Sequence, residues 1–351
     1  TFKELGQLDA AIKSYEQALS IKPDYAEAHY NLGNTLKELG QLKEAVKSYE
    51  KALAIKPDFA EFKSNLFELL TCYSPQNDLS HPILRVNQEI RNIALKHNNS
   101  SITSDSNIIK LFLKSSHILK KYNLEIDTQD SQTYRRNRID LNCKRHTSVF
   151  NKHNIIPEFC FGCYKVQVEP RTIFELIKLF VIFDELKLDE NNTRKCMVEL
   201  RPEISGFYKG LIFCSSLHQA NQLADSLDLV VKEKIGSGLP AKVKRGCSEF
   251  PISFPQYKEI NNSGPQLMNY NESWRSIEKN HDSKFSIKAN LNIKPSLRGL
   301  SLNDFLIMRN WLGYAKGIGD QSLKLMDENI DFSQIFFDRA KVRSERYPFT
   351  H

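Results

Sequence analysis

The stretch "TLKELGQLKEAVKSYEKALAIKPDFAE" (35–61) repeats "TFKELGQLDAAIKSYEQALSIKPDYAE" (1–27) at an offset of 34 residues, with most positions matched. A fixed period of this length is the mark of stacked supersecondary units. The residues describe a helical hairpin. Gly33 and Ala45 are small where two helices must approach closely, and Gly40-Gln41 makes the turn. Tyr49 is expected to fill the gap to the neighbouring repeat, and Pro57 to stop the second helix. Each hairpin leaves an apolar face open and needs a neighbour to cover it. The chain opens at Thr1, inside a repeat, so further repeats and the native N-terminus are expected upstream, and any targeting segment goes unread.

The array is expected to end soon after. In "AEFKSNLFELLTCYSPQ" (60–76) a third first-helix begins with Leu66 in register, but Phe67 takes the close-packing glycine position and Pro75 follows. "HPILRVNQEIRNIALKHN" (81–98) reads as a degenerate second helix whose mixed polar face caps the stack. Counted from Ala26, the unit 26–59 resembles the tetratricopeptide repeat at Leu32, Gly33, Ala45, Tyr49, Ala52 and Pro57, with His29 and Leu36 in place of the usual aromatics. The resemblance implies an α-solenoid whose concave face binds an extended peptide or a partner helix. Asn31 and Asn65 fall at equivalent positions of successive repeats, and an amide that both donates and accepts could hold a peptide backbone there. Similar ladders occur in the repeats of O-GlcNAc transferases, which these repeats look like, although none of that family's catalytic region is evident. The alternative is that both amides bond within the stack.

The rest of the 351 residues exceed one ordinary core, so two or three domains are expected. A net charge of +7 on a chain with 26% charged residues of mixed sign argues against a dedicated nucleic-acid protein. Seven scattered cysteines favour a reducing, cytoplasmic setting over a disulfide scaffold. The most apolar stretch, "TIFELIKLFVIFDELKL" (172–188), is broken by Glu175, Lys178, Asp184 and Glu185 and reads as a buried helix, not a membrane span.

Residues 99–142 read as a helical linker after the repeats at 1–98. Its end, "TYRRNRIDLNCKRH" (133–146), is a basic run that reads as a solvated turn, with an anion or nucleic-acid patch as the alternative. From 164 to 250 the pattern alternates as β-α-β-β-α-β, the order of a ferredoxin-like split βαβ unit, which makes the fold class α+β. Val166 and Val168 point one way from the first strand, Lys165, Gln167 and Glu169 the other. Just before that strand lies Cys160-x-x-Cys163. With Cys143 and His146 upstream it gives two pairs of soft or borderline ligands, a spacing that suits a closed structural zinc clip at the start of the domain 143–250. His153 is an alternate for His146. A redox role is disfavoured because a strand, not a helix, follows the pair.

Cys196 and Cys214 read as small buried hydrophobes, and Cys247 as a weak nucleophile candidate beside Lys244-Arg245. Strand 209–214 is only half of an RNA-stacking platform, and Glu169 with Glu199 and Glu203 a faint echo of a two-metal acidic pair. The span 251–351 is expected as an irregular, then helical extension, with Ser301 and Asp304 at capping-box spacing and a stripe of Phe305, Met308, Trp311 and Leu312. This C-terminal portion resembles an uncharacterised domain that accompanies such repeats in bacterial proteins, which implies no activity. The expectation is a scaffold that binds a protein or peptide partner. The competing reading is an enzyme recruited by the repeats, for which Glu169, Arg201, Lys209, His218 and Cys247 would have to share a pocket.

Overall fold

The computed structural model describes residues 7–75, 80–96, 104–135, 141–190, 192–202, 204–284, 295–326 and 332–346. Helices come first: α1 (Leu8–Ile21), α2 (Ala26–Glu38), α3 (Leu42–Ile55), α4 (Ala60–Cys72), α5 (Pro82–Lys96) and α6 (Asp105–Lys121). Next are β1 (Gln132–Arg135), α7 (Cys143–His153), α8 (Glu158–Gly162), β2 (Tyr164–Val168) and α9 (Ile173–Glu185). Then β3 (Arg194–Val198), β4 (Tyr208–Cys214), α10 (Leu217–Lys234), β5 (Lys242–Arg245), α11 (Trp274–Lys284), α12 (Leu302–Ile318) and α13 (Gln334–Arg346) complete the chain. Two compact units result: Thr1–Thr133 with Asn292–Phe349, and Tyr134–Leu291 with Thr350–His351. The span 251–351 is therefore shared between them.

In the helical unit, α2 and α3 form the complete hairpin. A Cβ on Gly33 would lie 2.7 Å from the Tyr49 ring, so the missing side chain is what lets the ring in. Tyr49 is fully buried and its hydroxyl donates to Asn34 Oδ1 at 2.7 Å. Within its own hairpin Tyr49 thus packs on Gly33, and Tyr30 stacked on Phe62 at 4.6 Å bridges to the next repeat. At the turn Gly40 takes φ 78° and the Gln41 amide donates to Leu36 O, a left-handed helix stop that favours glycine.

The chain's C-terminal part returns to this stack, with α12 packed on α4 and α5. The polar face of α5, expected to meet water, is what receives it. Asn87 accepts from the Leu302 amide at 2.9 Å, and Arg91, only 5% exposed, donates to Leu70 O at 2.5 Å and Arg298 O at 3.4 Å. The Ser301–Asp304 capping box is formed as its spacing predicts, and Asp304 also accepts from Thr133 Oγ1 at 2.7 Å. The expected stripe of α12 is buried, but so is every other residue of the helix except Lys316 and Gly317. Its polar side is satisfied by backbone carbonyls: Arg309 donates to Ile126 O, Asn310 to Thr128 O and Asp130 O, and Trp311 to Ser131 O. Helix α13 closes the far side against Gly313 and Gly317.

The α/β unit is built on a sheet of order β1-β3-β4-β2-β5. β2 pairs antiparallel with β4 and β5, and β3 antiparallel with β4, in register Val166↔Ile212, Val166↔Val243 and Arg194↔Ile212. Helix α9 packs on β3 and β4, and α10 on β2, β4 and β5. The close approach of α9 is set at Gly210, where a Cβ would lie 2.3 Å from Leu179 Cδ2. On α10, Ala220, Ala224, Leu227 and Val231 are buried, as are the strand cysteines Cys196 and Cys214. No described helix is long and apolar enough to cross a membrane.

Two expectations change here. The alternation in β2 is present, but Lys165 and Gln167 are buried as well, at 8% and 5% exposure, because β2 is a central strand covered on both faces. Two arginines of the basic run are not solvated: Arg135 is 1% exposed, ion-paired with Asp184 at 3.4 Å and laid over the Phe180 ring, while Arg145 is held by Glu278 and Asp282 of α11; Lys144 is exposed. Charge density in sequence does not reveal which carboxylates the fold will bring to meet it. Arg136 and Arg138 lie outside the described residues.

Candidate functional site

The two asparagines of the expected ladder are not equivalent in the fold. The Asn65 amide donates to the Tyr30 hydroxyl at 2.6 Å and to Glu61 O at 3.2 Å, while Lys37 donates to its oxygen at 3.4 Å. Tyr30 in turn donates to Glu61 and Lys37 pairs with Glu68 at 3.0 Å, so Asn65 belongs to a network tying α2 to α4. Burial, with the Glu61 carboxylate nearby, pushes the Tyr30 phenol up to about 12 and keeps it a donor. Asn31 is half-buried, and its amide has no hydrogen-bond partner among the described residues. One rung is thus taken up by the stack and one is open.

On the α/β unit, the sheet face away from the valines carries charge out of water. Glu199, 1% exposed, accepts from Lys209 Nζ at 2.8 Å and from Arg201 Nε and Nη2 at 2.9 and 3.0 Å. Burial would raise its carboxyl, but these two cations outweigh that and hold it at about 2. Arg201 reaches on to Glu249 at 2.9 Å, and Lys244 pairs with Glu169 at 3.2 Å. Lys165 donates to Gly246 O at 3.0 Å, and burial pushes its ammonium down to about 8. Lys195 is lowered too, by burial and by Arg201. Of the five residues an enzyme would need together, Arg201 and Lys209 meet on Glu199, and Glu169 lies beside Lys209 across Gly206. His218 is exposed in the first turn of α10, and Glu203 lies outside the described residues.

The thiols gather at one margin of this face. Cys160 is buried in α8, and Cys247 packs against the cluster it forms with Ile156, Phe250 and Tyr257; the nearness of the two thiols raises Cys160 and lowers Cys247. Cys163 is buried and pushed up to about 12, and Cys143, exposed at the start of α7, lies within electrostatic reach of both Cys160 and Cys163. His146 is instead stacked on Phe159 at 5.1 Å, with its charge felt by Asp282, and His153 contacts His281 at 3.1 Å. Among the described residues, no three His, Cys, Asp or Glu side chains are arranged, as they stand, to hold a metal ion. Spacing along the chain left Cys247 out because 83 residues separate it from Cys163. The one signal available was its position one turn beyond a strand that pairs with β2. A cavity of about 180 Å³ lies alongside, lined by Phe159, Cys163, Asn192, Phe213 and Cys214 among others, and is smaller than a typical ligand pocket.

Compared with known families, residues 1–40 match the profile described as TPR repeat, and residues 26–59 match that of the tetratricopeptide repeat. No curated protein matches the chain.

Proposed function

We propose, from the tetratricopeptide repeats that residues 1–59 carry, that this is a scaffold protein that recruits an extended peptide segment of a partner through the repeat face bearing Asn31. The observation that carries this reading is the Asn31 amide, without a hydrogen-bond partner among the described residues, at the repeat position equivalent to an Asn65 amide already oriented by its neighbours. Free peptide groups need a partner that donates and accepts at once, and a fixed amide supplies both without selecting a side chain. The half-exposed Lys37 and Glu68 flank the same network and add polar contacts at its edge.

The α/β unit is the second part of the scaffold. The strand order β3-β4-β2-β5 with antiparallel neighbours supports a ferredoxin-like split βαβ unit, with β1 added at its edge. Its charged groups are mostly joined to one another, as expected of a face that holds itself together.

Peptide-library display against the full chain tests the recruitment reading. Enriched peptides are expected to bind about tenfold more weakly to Asn31→Ala, the effect of losing one or two backbone hydrogen bonds, with the fold unchanged by circular dichroism. Full affinity in that variant would exclude Asn31 as a contact.

A further inference from the structure

The fold delivers Cys247 to the Cys160-x-x-Cys163 turn by backbone contacts, not by chance packing. The Gly246 amide donates to Cys163 O at 2.9 Å, and a Cβ on Gly246 would lie 2.3 Å from Cys163 Sγ, so the chain passes directly under that sulfur. Arg245, 3% exposed, locks this arrangement by donating to Phe161 O at 2.8 Å and Tyr257 O at 3.1 Å, and the Tyr257 hydroxyl donates to Cys160 O at 2.8 Å. Two cations lie near the cluster, Lys165 buried and Lys195 half-buried. Lys165, fixed on Gly246 O, lies within electrostatic reach of Cys247, and Lys195 within that of Cys143.

We infer that Cys143, Cys160, Cys163 and Cys247 bind one soft divalent cation, zinc by preference, as four thiolates, with His146 outside the coordination sphere. Three chain segments then meet on one ion: the start of α7, the α8 turn and the turn after β5. Binding exchanges four thiol protons for the cation, leaving a tetrathiolate site of net charge 2−, and the two lysines stand where that charge has to be offset. As they stand the thiols form no metal cage, so binding requires them to turn about their χ1 bonds. A cysteine sulfur moves by about 3 Å between staggered rotamers, the scale on which Cys247, packed against the cluster of Cys160, turns into shared coordination. Four protein ligands leave no open position, so the ion is structural: it ties the sheet edge at β5 to α7 and α8. Cys196 provides the contrast of an ordinary buried thiol, fully enclosed in β3 with no second cysteine beside it.

The full chain, purified without added metal, is assayed for zinc by mass spectrometry, then stripped and titrated with Co²⁺ to read the visible bands of tetrahedral thiolate coordination. About one ion per chain is expected. Cys247→Ser should lose it, with at least a tenfold drop in Co²⁺ affinity, and His146→Ala should keep it. Should Cys247→Ser not fold, alkylation of the wild-type chain followed by peptide mapping gives the same information: bound zinc should protect these four thiols together. Retention of zinc by Cys247→Ser with loss in His146→Ala would overturn the assignment. So would a metal-free chain with no Co²⁺ bands, including one that carries a Cys160–Cys247 disulfide.

Discussion

Replacing Glu199 with alanine is expected to destabilise the α/β unit by about 3–5 kcal/mol, the range for breaking a buried ion pair from one side. The loss comes from what remains: Lys209, 6% exposed, keeps its charge on the sheet face with its carboxylate partner gone. Urea unfolding of the full chain measures it, and Glu199→Ala combined with Lys209→Met should recover much of the loss by removing the stranded charge. An equal loss in single and double variants would show that packing, not charge, is at stake. The same pair sets an acid limit. The Glu199 carboxyl titrates near 2 in the folded protein against an ordinary value of 4.5, so its contribution is complete above the ordinary value and disappears as pH falls through about 2. Stability should therefore decline on acidification across that window, and Glu199→Gln should flatten the decline.

Gly313→Val is expected to cost the helical unit about 3 kcal/mol, at the upper end of overpacking penalties. A Cβ on Gly313 would lie 2.2 Å from Ser333 O, with Ser333 C and N at 3.1 and 3.2 Å. These are backbone atoms at the start of α13 and cannot rotate aside, so the helices must separate and Phe336 and Ala340, both fully buried, lose their cover. Denaturant unfolding and faster proteolysis within residues 332–346 are the readouts. Gly162→Ala is the control, because its Cβ would meet only Ser215 O at 3.6 Å. A loss below about 1 kcal/mol for Gly313→Val would mean that α13 shifts freely on α12.

The hairpin of residues 26–59 was legible because repetition states the same local solution twice: small Gly33 and Ala45 at the close approach, a turn at Gly40, a stop at Pro57. The βαββαβ element order was legible from period-2 and helical patterns, and the α12 start from the spacing of Ser301 and Asp304. The Cys160-x-x-Cys163 pair was visible as well, being local. Each of these signals spans a few turns of chain, and a local pattern reports the preference of one element.

What lay beyond reach was the identity of whatever covers each element. Periodicity assigns Lys165 and Gln167 to the face opposite Val166, but only strand order makes that face interior. The mixed polar face of 81–98 read as a cap, and only the fold shows Asn87 and Arg91 of that face bonded to Leu302 N and Arg298 O. Cys247 joined Cys160 because β5 pairs with β2, a contact between residues some eighty positions apart. The sequence by itself determined the repeats, the elements and their amphipathic faces, since these depend on neighbours within a few residues. The tertiary structure alone decided which polar groups are buried and which cysteines meet, because desolvation and long-range pairing depend on segments whose arrival no local pattern encodes.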